Sequence, residues 1–462
     1  MRLKLLSFLF TVVLSIGACS DKSSNGPPRK IPRTTATPNV KIIHFFTTES
    51  DPEQIKTLES LSSEYETLNP GIQVDIILAT PANRERRLLT ALASGGDLGI
   101  FEIEPTLMTE WVESGYLLEL DEVAEAIGIQ DYQEGSLFRQ QGHIYAIPYA
   151  TSVYGLWVRH DLLEQAGLSL PTTYEELLHA ADVLTQGETY GIAFPAGQNI
   201  ATVNYFSIIL WQTGGDYFDC QGNVVFDQPE AFEAIQKWAS LTQYAPPGFT
   251  TWGFGEQVEG FTQENIAMVI YAGRLGVNLA EQAPDLAEDV SVIFPPLGDT
   301  KVTLGVWSRF AIAAGTEHPE EAKAFLQWLL SGDRLLRFDL TVPGHMIPPL
   351  QSVQALTLDI DNTYITQHTD WVQKFYDWLP FASHPAMNMG VIRNGQFTLS
   401  AEAPPWANTV FGASGIIVNM LQKISLESQP SEEAWREATV ELKTTVELWK
   451  RQHPDWRPAT CS

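Results

Sequence analysis

"VKIIHFFTTESDPEQIKTLESLSSEYETLNPGIQVDIILA", residues 40–79, reads as three elements in a row. The apolar run 40–46, VKIIHFF, has the signature of a buried strand. Residues 52–71 carry apolar side chains at helical spacing and are stopped by Asn69, Pro70 and Gly71. IQVDIILA, 72–79, is a second apolar strand. Strand, helix and strand of these lengths make a β-α-β unit.

The pattern continues outward. A basic helix is expected over 82–96, a strand over 98–104, and an amphipathic helix before GYLLELDEV, 115–123. Residues 142–185 predict a hairpin-like pair of strands and a helix, then the turn GLSLP and a further helix. That last helix is opened by Thr172 or Thr173, with Glu175 and Glu176 in its first turn. Such alternation predicts an α/β chain with a mostly parallel sheet and helices on both faces.

The first residues read differently. Arg2 and Lys4 form a basic start, Leu5 to Ile16 an apolar run too short to span a bilayer comfortably, and Gly17 and Ala18 precede Cys19. Residues 1–18 are an export signal, and the small residues before Cys19 resemble the lipobox of bacterial lipoproteins. That resemblance implies cleavage before Cys19, lipid on its thiol, and a protein anchored to the cell membrane facing the periplasm or the exterior. Residues 19–40, rich in Ser, Thr and Pro, are a flexible stalk.

The formal net charge of -28 makes a nucleic-acid partner improbable, because binding to phosphates needs a clustered basic surface. Beyond Cys19 there are two more cysteines, Cys220 and Cys461, which can pair in an oxidising compartment or stay as separate thiols. There is no G-x-S-x-G, H-E-x-x-H, Walker A or G-x-G-x-x-G, so no catalytic, metal or cofactor motif appears. DIDNTY, 359–364, lacks the Gly and final Glu of a calcium loop.

Several blocks, taken in order, resemble the extracellular solute-binding proteins of ABC importers, most of all the carbohydrate-binding branch. They are HFFTTESDPEQIKTLESLSSEYETLNPGIQVDI, GYLLELDE, GHIYAIPY, LWVRHDLLEQAGLSLPTTYEELLHAADVLT, FTQENIAMVIYAG and HPEEAKAFLQWLLSG. The likeness runs from Lys41 to the mid-300s and fades after Asp361. It implies two α/β lobes around a hinge, with one lobe at 41–151 plus 310–352 and the other at 152–309 plus 353–462. It further implies a monomer that takes a small carbohydrate into the cleft and delivers it to permease subunits, with no cofactor and no catalysis.

A sugar needs flat aromatics for its C–H faces and polar side chains for its hydroxyls. At positions matching the family's cleft, or beside glycines, the candidates are Tyr149, Trp211, Tyr271 with Arg274, and Trp307. Thr47, Thr48 and Glu49 follow the first strand, Glu104 ends the third, and His345 lies in a Pro/Gly-rich loop. Where many sugar-binding relatives carry an acidic residue, this chain has Ser152. Two other readings stay open: a secreted glycoside hydrolase using paired carboxylates, and the same fold with a peptide, polyamine or metal chelate as ligand.

Overall fold

The computed structural model describes residues 40–458 apart from 50, 80, 141 and 400–402. The expected signal, Cys19, the stalk up to residue 39 and Cys461 lie outside the described residues. Everything described belongs to a single compact unit, 36–462.

The first three elements form as their residues dictate. Strand β1 is Lys41–Thr47, helix α1 Pro52–Leu68 and strand β2 Ile72–Leu78. Asp51 caps α1 by accepting from the backbone N–H groups of Glu53 and Gln54, with Pro52 at the first helical position. The helix buries Gln54, Leu58, Leu61 and Tyr65, a stripe at its own period. Helix α2, Pro81–Ala93, and strand β3, Ile100–Glu102, follow, then helix α3, Met108–Glu113.

The expected pair of strands after residue 142 is a two-residue strand, His143–Ile144, in a hairpin with Arg139–Gln140, and a long, fully buried strand, β4, Ala146–Arg159. Its partners lie far along the chain: β5, Met268–Ala272, β6, Val290–Ile293, and β7, Thr303–Ile312. Helix α4, Ile200–Gln212, precedes β5, and helix α5, Arg274–Gln282, follows it. Helix α6, Asp333–Asp339, and the short strand β8, Ala382–Ser383, come later. The main sheet runs β2-β1-β3-β7-β4-β5, with β8 beside β7 and β6 beside β4. Pairing is parallel within β2-β1-β3 and antiparallel where β7 joins β3 and β4, so the sheet is mixed.

Two lobes share this sheet. In one, β1–β3 are packed on one face by Phe45, Ile100, Phe310 and Phe325 and on the other by Phe46, Phe101 and Trp111. In the other, Tyr154, Leu156, Phe206 and Trp238 fill one side, and Trp157, Val269 and Trp371 the opposite one. The chain after Asp361 packs here too, through Trp406, Val410, Ile417 and Leu442. In the middle of the sheet, Thr151 of β4 lies opposite Trp307 of β7 on one side and bridges to Ile347 on the other, donating its N–H to the Ile347 carbonyl at 2.7 Å.

Cys220 is disulfide-bonded, and its partner lies outside the described residues. Nearby, Trp456 covers Gly222 so closely that a Cβ there would stand 2.9 Å from its ring.

Candidate functional site

Parallel strands bring their C-terminal ends to one edge, and the turns leaving them hold the polar residues. As the chain leaves β1, Thr47 donates its hydroxyl to the buried carboxylate of Glu102 at the end of β3. Thr48 donates to the same carboxylate through its N–H at 3.1 Å and its hydroxyl at 2.5 Å. Glu49 is thereby turned toward β4, where the Tyr149 hydroxyl donates to it at 3.1 Å.

The facing lobe supplies the cation. Gly273, at the end of β5, lies so close to Gly344 that a Cβ would stand 2.1 Å from the Gly344 carbonyl oxygen. A residue without a side chain is needed there, and Arg274 follows it as the first residue of α5. Its guanidinium lies 3.6 Å from Glu49, 3.6 Å from Asp51, and donates to Gln54 at 3.2 Å. Burial, then the charge of Glu102, push the Glu49 carboxyl above its usual range, against the pull of Arg274 and the Tyr149 hydrogen bond.

Two buried groups flank this set. Asp339, at the end of α6, has no hydrogen-bond partner for either oxygen among the described residues. Burial, then the Glu49 charge, hold its carboxyl well above the ordinary value. His345 has Nε2 at 3.4 Å from the Ser152 hydroxyl, and burial together with the Arg274 charge keeps the ring neutral.

The opposite face of the same crossing strands differs. Neighbouring residues of a strand point to opposite faces, so Trp307 and Arg309 share a face that Ser308 and Phe310 do not. Arg309 is buried, and its hydrogen bonds go to Met108 Sδ at 3.6 Å and Met387 Sδ at 3.1 Å. Burial lowers its pKa to about 9. His384, also buried, accepts the Ala386 N–H on Nδ1 at 3.2 Å, and burial with the Arg309 charge takes it down to about 3.

Of the residues expected from sequence, Thr47, Thr48, Glu49, Tyr149, Arg274 and His345 meet at the junction. Tyr271 lies just before Arg274, its ring 6.0 Å from that of Tyr154. Trp307 stands on the Arg309 face. Glu104 precedes a short helical turn, 105–107, without capping it, and Glu102 two residues earlier takes the role of clamp. Trp211 is buried and packs with Val302 and Val391, in a cluster apart from the junction residues. Glu102, Asp339, Arg309 and His384 were not singled out from the sequence. The one available signal was Arg309 itself, a charge inside the apolar run LGVWSRFAI.

Comparison with known proteins adds a family to this geometry. Residues 50–333 match the family described as bacterial extracellular solute-binding protein. A putative ABC transporter periplasmic-binding protein of Escherichia coli, YcjN, is 24% identical over 336 residues, 70% of this chain and 76% of its own. The mannitol-binding protein of Pseudomonas aeruginosa is 26% identical over 293 residues, covering 59% of this chain and 66% of its own. Among solved structures, maltose-bound MalE3 of T. maritima superposes with a TM-score of 0.73 at 20% identity, over 87% of this chain and all of that one. With a family match across more than half of its length and the same fold, the chain belongs to the bacterial extracellular solute-binding proteins.

Proposed function

We propose that this protein is the solute-capturing component of an ABC importer, and that its solute is a carbohydrate held between the lobes and handed to a membrane permease. The class in mind is a disaccharide, a short oligosaccharide or a glucosyl-polyol. The observation that carries the reading is the meeting of strand ends from both lobes on one polar group, Arg274 against Glu49 and Asp51. Those donors and acceptors suit hydroxyls, and relatives described as mannitol-binding and maltose-bound support the ligand class.

Thr48, Glu49, Glu104, Tyr149, Tyr271, Arg274, Trp307 and His345 form the proposed lining. The lobes divide at 151/152, 309/310 and 352/353, a division supported by the crossing of three segments at Thr151. The mature protein works as a monomer, tethered outside the cell by lipid on Cys19, and Cys19→Ser releases it from the membrane fraction. Cys220 pairs with Cys461, as the packing of Trp456 on Gly222 supports, and thiol labelling of denatured, unreduced protein then finds neither.

The deciding experiment is titration calorimetry against mono-, di- and trisaccharides, polyols and glucosyl-polyols, with an assay for sugar release on each binder. Binding without release is expected. Catalytic release points instead to a hydrolase, and binding of peptides or polyamines alone removes the carbohydrate assignment.

A further inference from the structure

We infer that the captured solute carries an acidic oxyanion, a carboxylate or a phosphate ester, which Arg309 receives at the seam between the lobes. The inference rests on the solute-binding reading above and narrows its ligand class.

Three donors on one face of the crossing strands have no hydrogen-bond partner among the described residues: Arg309 Nε, Trp307 Nε1 and the Thr151 hydroxyl. Thr151 lies directly opposite Trp307 in the β4–β7 register, and Arg309 is two residues further along β7. Among the described residues, the rest of the guanidinium meets only thioether sulfur, an uncharged and weak acceptor. The ring beside it brings no counter-charge either. His384 Nδ1 already accepts an N–H, so the neutral ring carries its proton on Nε2 and presents a donor.

A guanidinium removed from water is stable only when its charge is matched. Acidic side chains are not scarce, since the chain has 56 Asp and Glu against 28 Lys and Arg. Even so, no ion pair to Arg309 is found among the described residues, and burial is the one influence on its basicity. On the other face of the same strands, Arg274 has two carboxylates.

The place is one a solute would occupy. Met108 begins α3 in the lobe of β1–β3, Met387 follows β8, and nearby Asn408 donates to Glu110 at 3.0 Å across the same seam. A neutral sugar answers donors but leaves the charge unmatched. A carboxylate or phosphate does both, and the planar guanidinium fork fits either.

The test is calorimetry on the full-length protein with matched pairs: mannitol and mannonate, maltose and maltobionate, glucose and glucose 6-phosphate. At least one acidic member is expected to bind more than about tenfold tighter than its neutral partner, and Arg309→Met should abolish that margin. The carboxylate and phosphate arms separate the two oxyanions. Should Arg309→Met fail to fold, the uncharged ester of the tighter acid replaces it, a methyl ester for a carboxylate and a dimethyl ester for a phosphate, and losing the margin on esterification supports the inference. Neutral members binding as tightly as acidic ones, or an ester binding as well as its acid, would overturn it while leaving the carbohydrate reading intact. Acids without a sugar frame binding when no carbohydrate does would remove that reading and keep the oxyanion.

Discussion

The two faces of the crossing strands β4 and β7 solve one problem in opposite ways. On one, Tyr149 stacks on Phe310 at 4.2 Å and 17°, and every charge has an answer: Arg274 faces Glu49 and Asp51, and Glu102 accepts from Thr47 and Thr48. On the other, Arg309 and Trp307 are buried with donors that no described residue meets. Alternation along a strand makes this possible, because adjacent residues belong to different environments. The matched face brings the polar groups of both lobes into pairs made inside the protein. The unmatched face leaves donors for which the described residues supply no acceptor.

Cutting into the matched face should have the largest effect. Phe310 is fully buried, stacked on Tyr149 and edge-on to Phe45 at 4.8 Å. Phe310→Ala is expected to cost about 3–5 kcal/mol in urea unfolding, from lost contacts and the cavity left behind. A cost near zero would mean that the matched face is not where the lobes are held.

Acid should act chiefly on the unmatched face. The folded-state pKa of His384 is lowered from 6.5 to about 3, so its neutral form is favoured by folding. That contribution is complete above the unfolded value near 6.5 and is lost as pH falls toward 3, on the order of a few kcal/mol. His345, on the matched side, has the same sign. His384→Gln should flatten part of the stability profile between pH 6.5 and 4, and an unchanged acid limb would show that His384 titrates normally.

Base should act on the matched face with the opposite sign. Asp339 has a folded-state pKa raised well above 3.8, so its contribution is complete below that value and is lost as pH climbs through the folded one. Asp339→Asn keeps the shape and removes the proton. Its stability relative to the parent should therefore rise as pH climbs above 3.8, and parallel curves would contradict the assignment.

The smallest effect concerns the ion pairs. Arg274 and Glu49 remain about a fifth exposed, so solvent screens them. Arg274→Met is expected to change stability by only about 1 kcal/mol. Its clearer readout is ligand-free X-ray scattering, where a wider separation of the lobes is expected.

Much of the frame was legible in the residues. Asp51 before Pro52 caps α1, Thr173 accepts from Glu176 to open its helix, and the glycine after Tyr271 is the one that close packing requires. These are local rules: a cap needs its own next turn, a stripe its own period. The order of blocks from Lys41 onward likewise pointed to the family that the match over 50–333 shows. The site was half legible, since Glu49, Tyr149 and Arg274 could be chosen by position, whereas Glu102 and Glu104 share a strand parity that left the pattern unable to say which one clamps the turn.

What the sequence determined by itself, then, is the alternation of strand and helix from Lys41 onward and how the capped helices open, because those depend on neighbours a few residues away. Only the tertiary structure decided that β4 runs unbroken from Ala146 to Arg159, since its partners begin at Met268, Val290 and Thr303. It alone buried Trp211 in a cluster with Val302 and Val391, apart from the junction residues. And it alone left Arg309 without a carboxylate among the described residues, because whether a charge is answered depends on which distant side chains the fold brings within a few ångströms, and no local pattern encodes that distance.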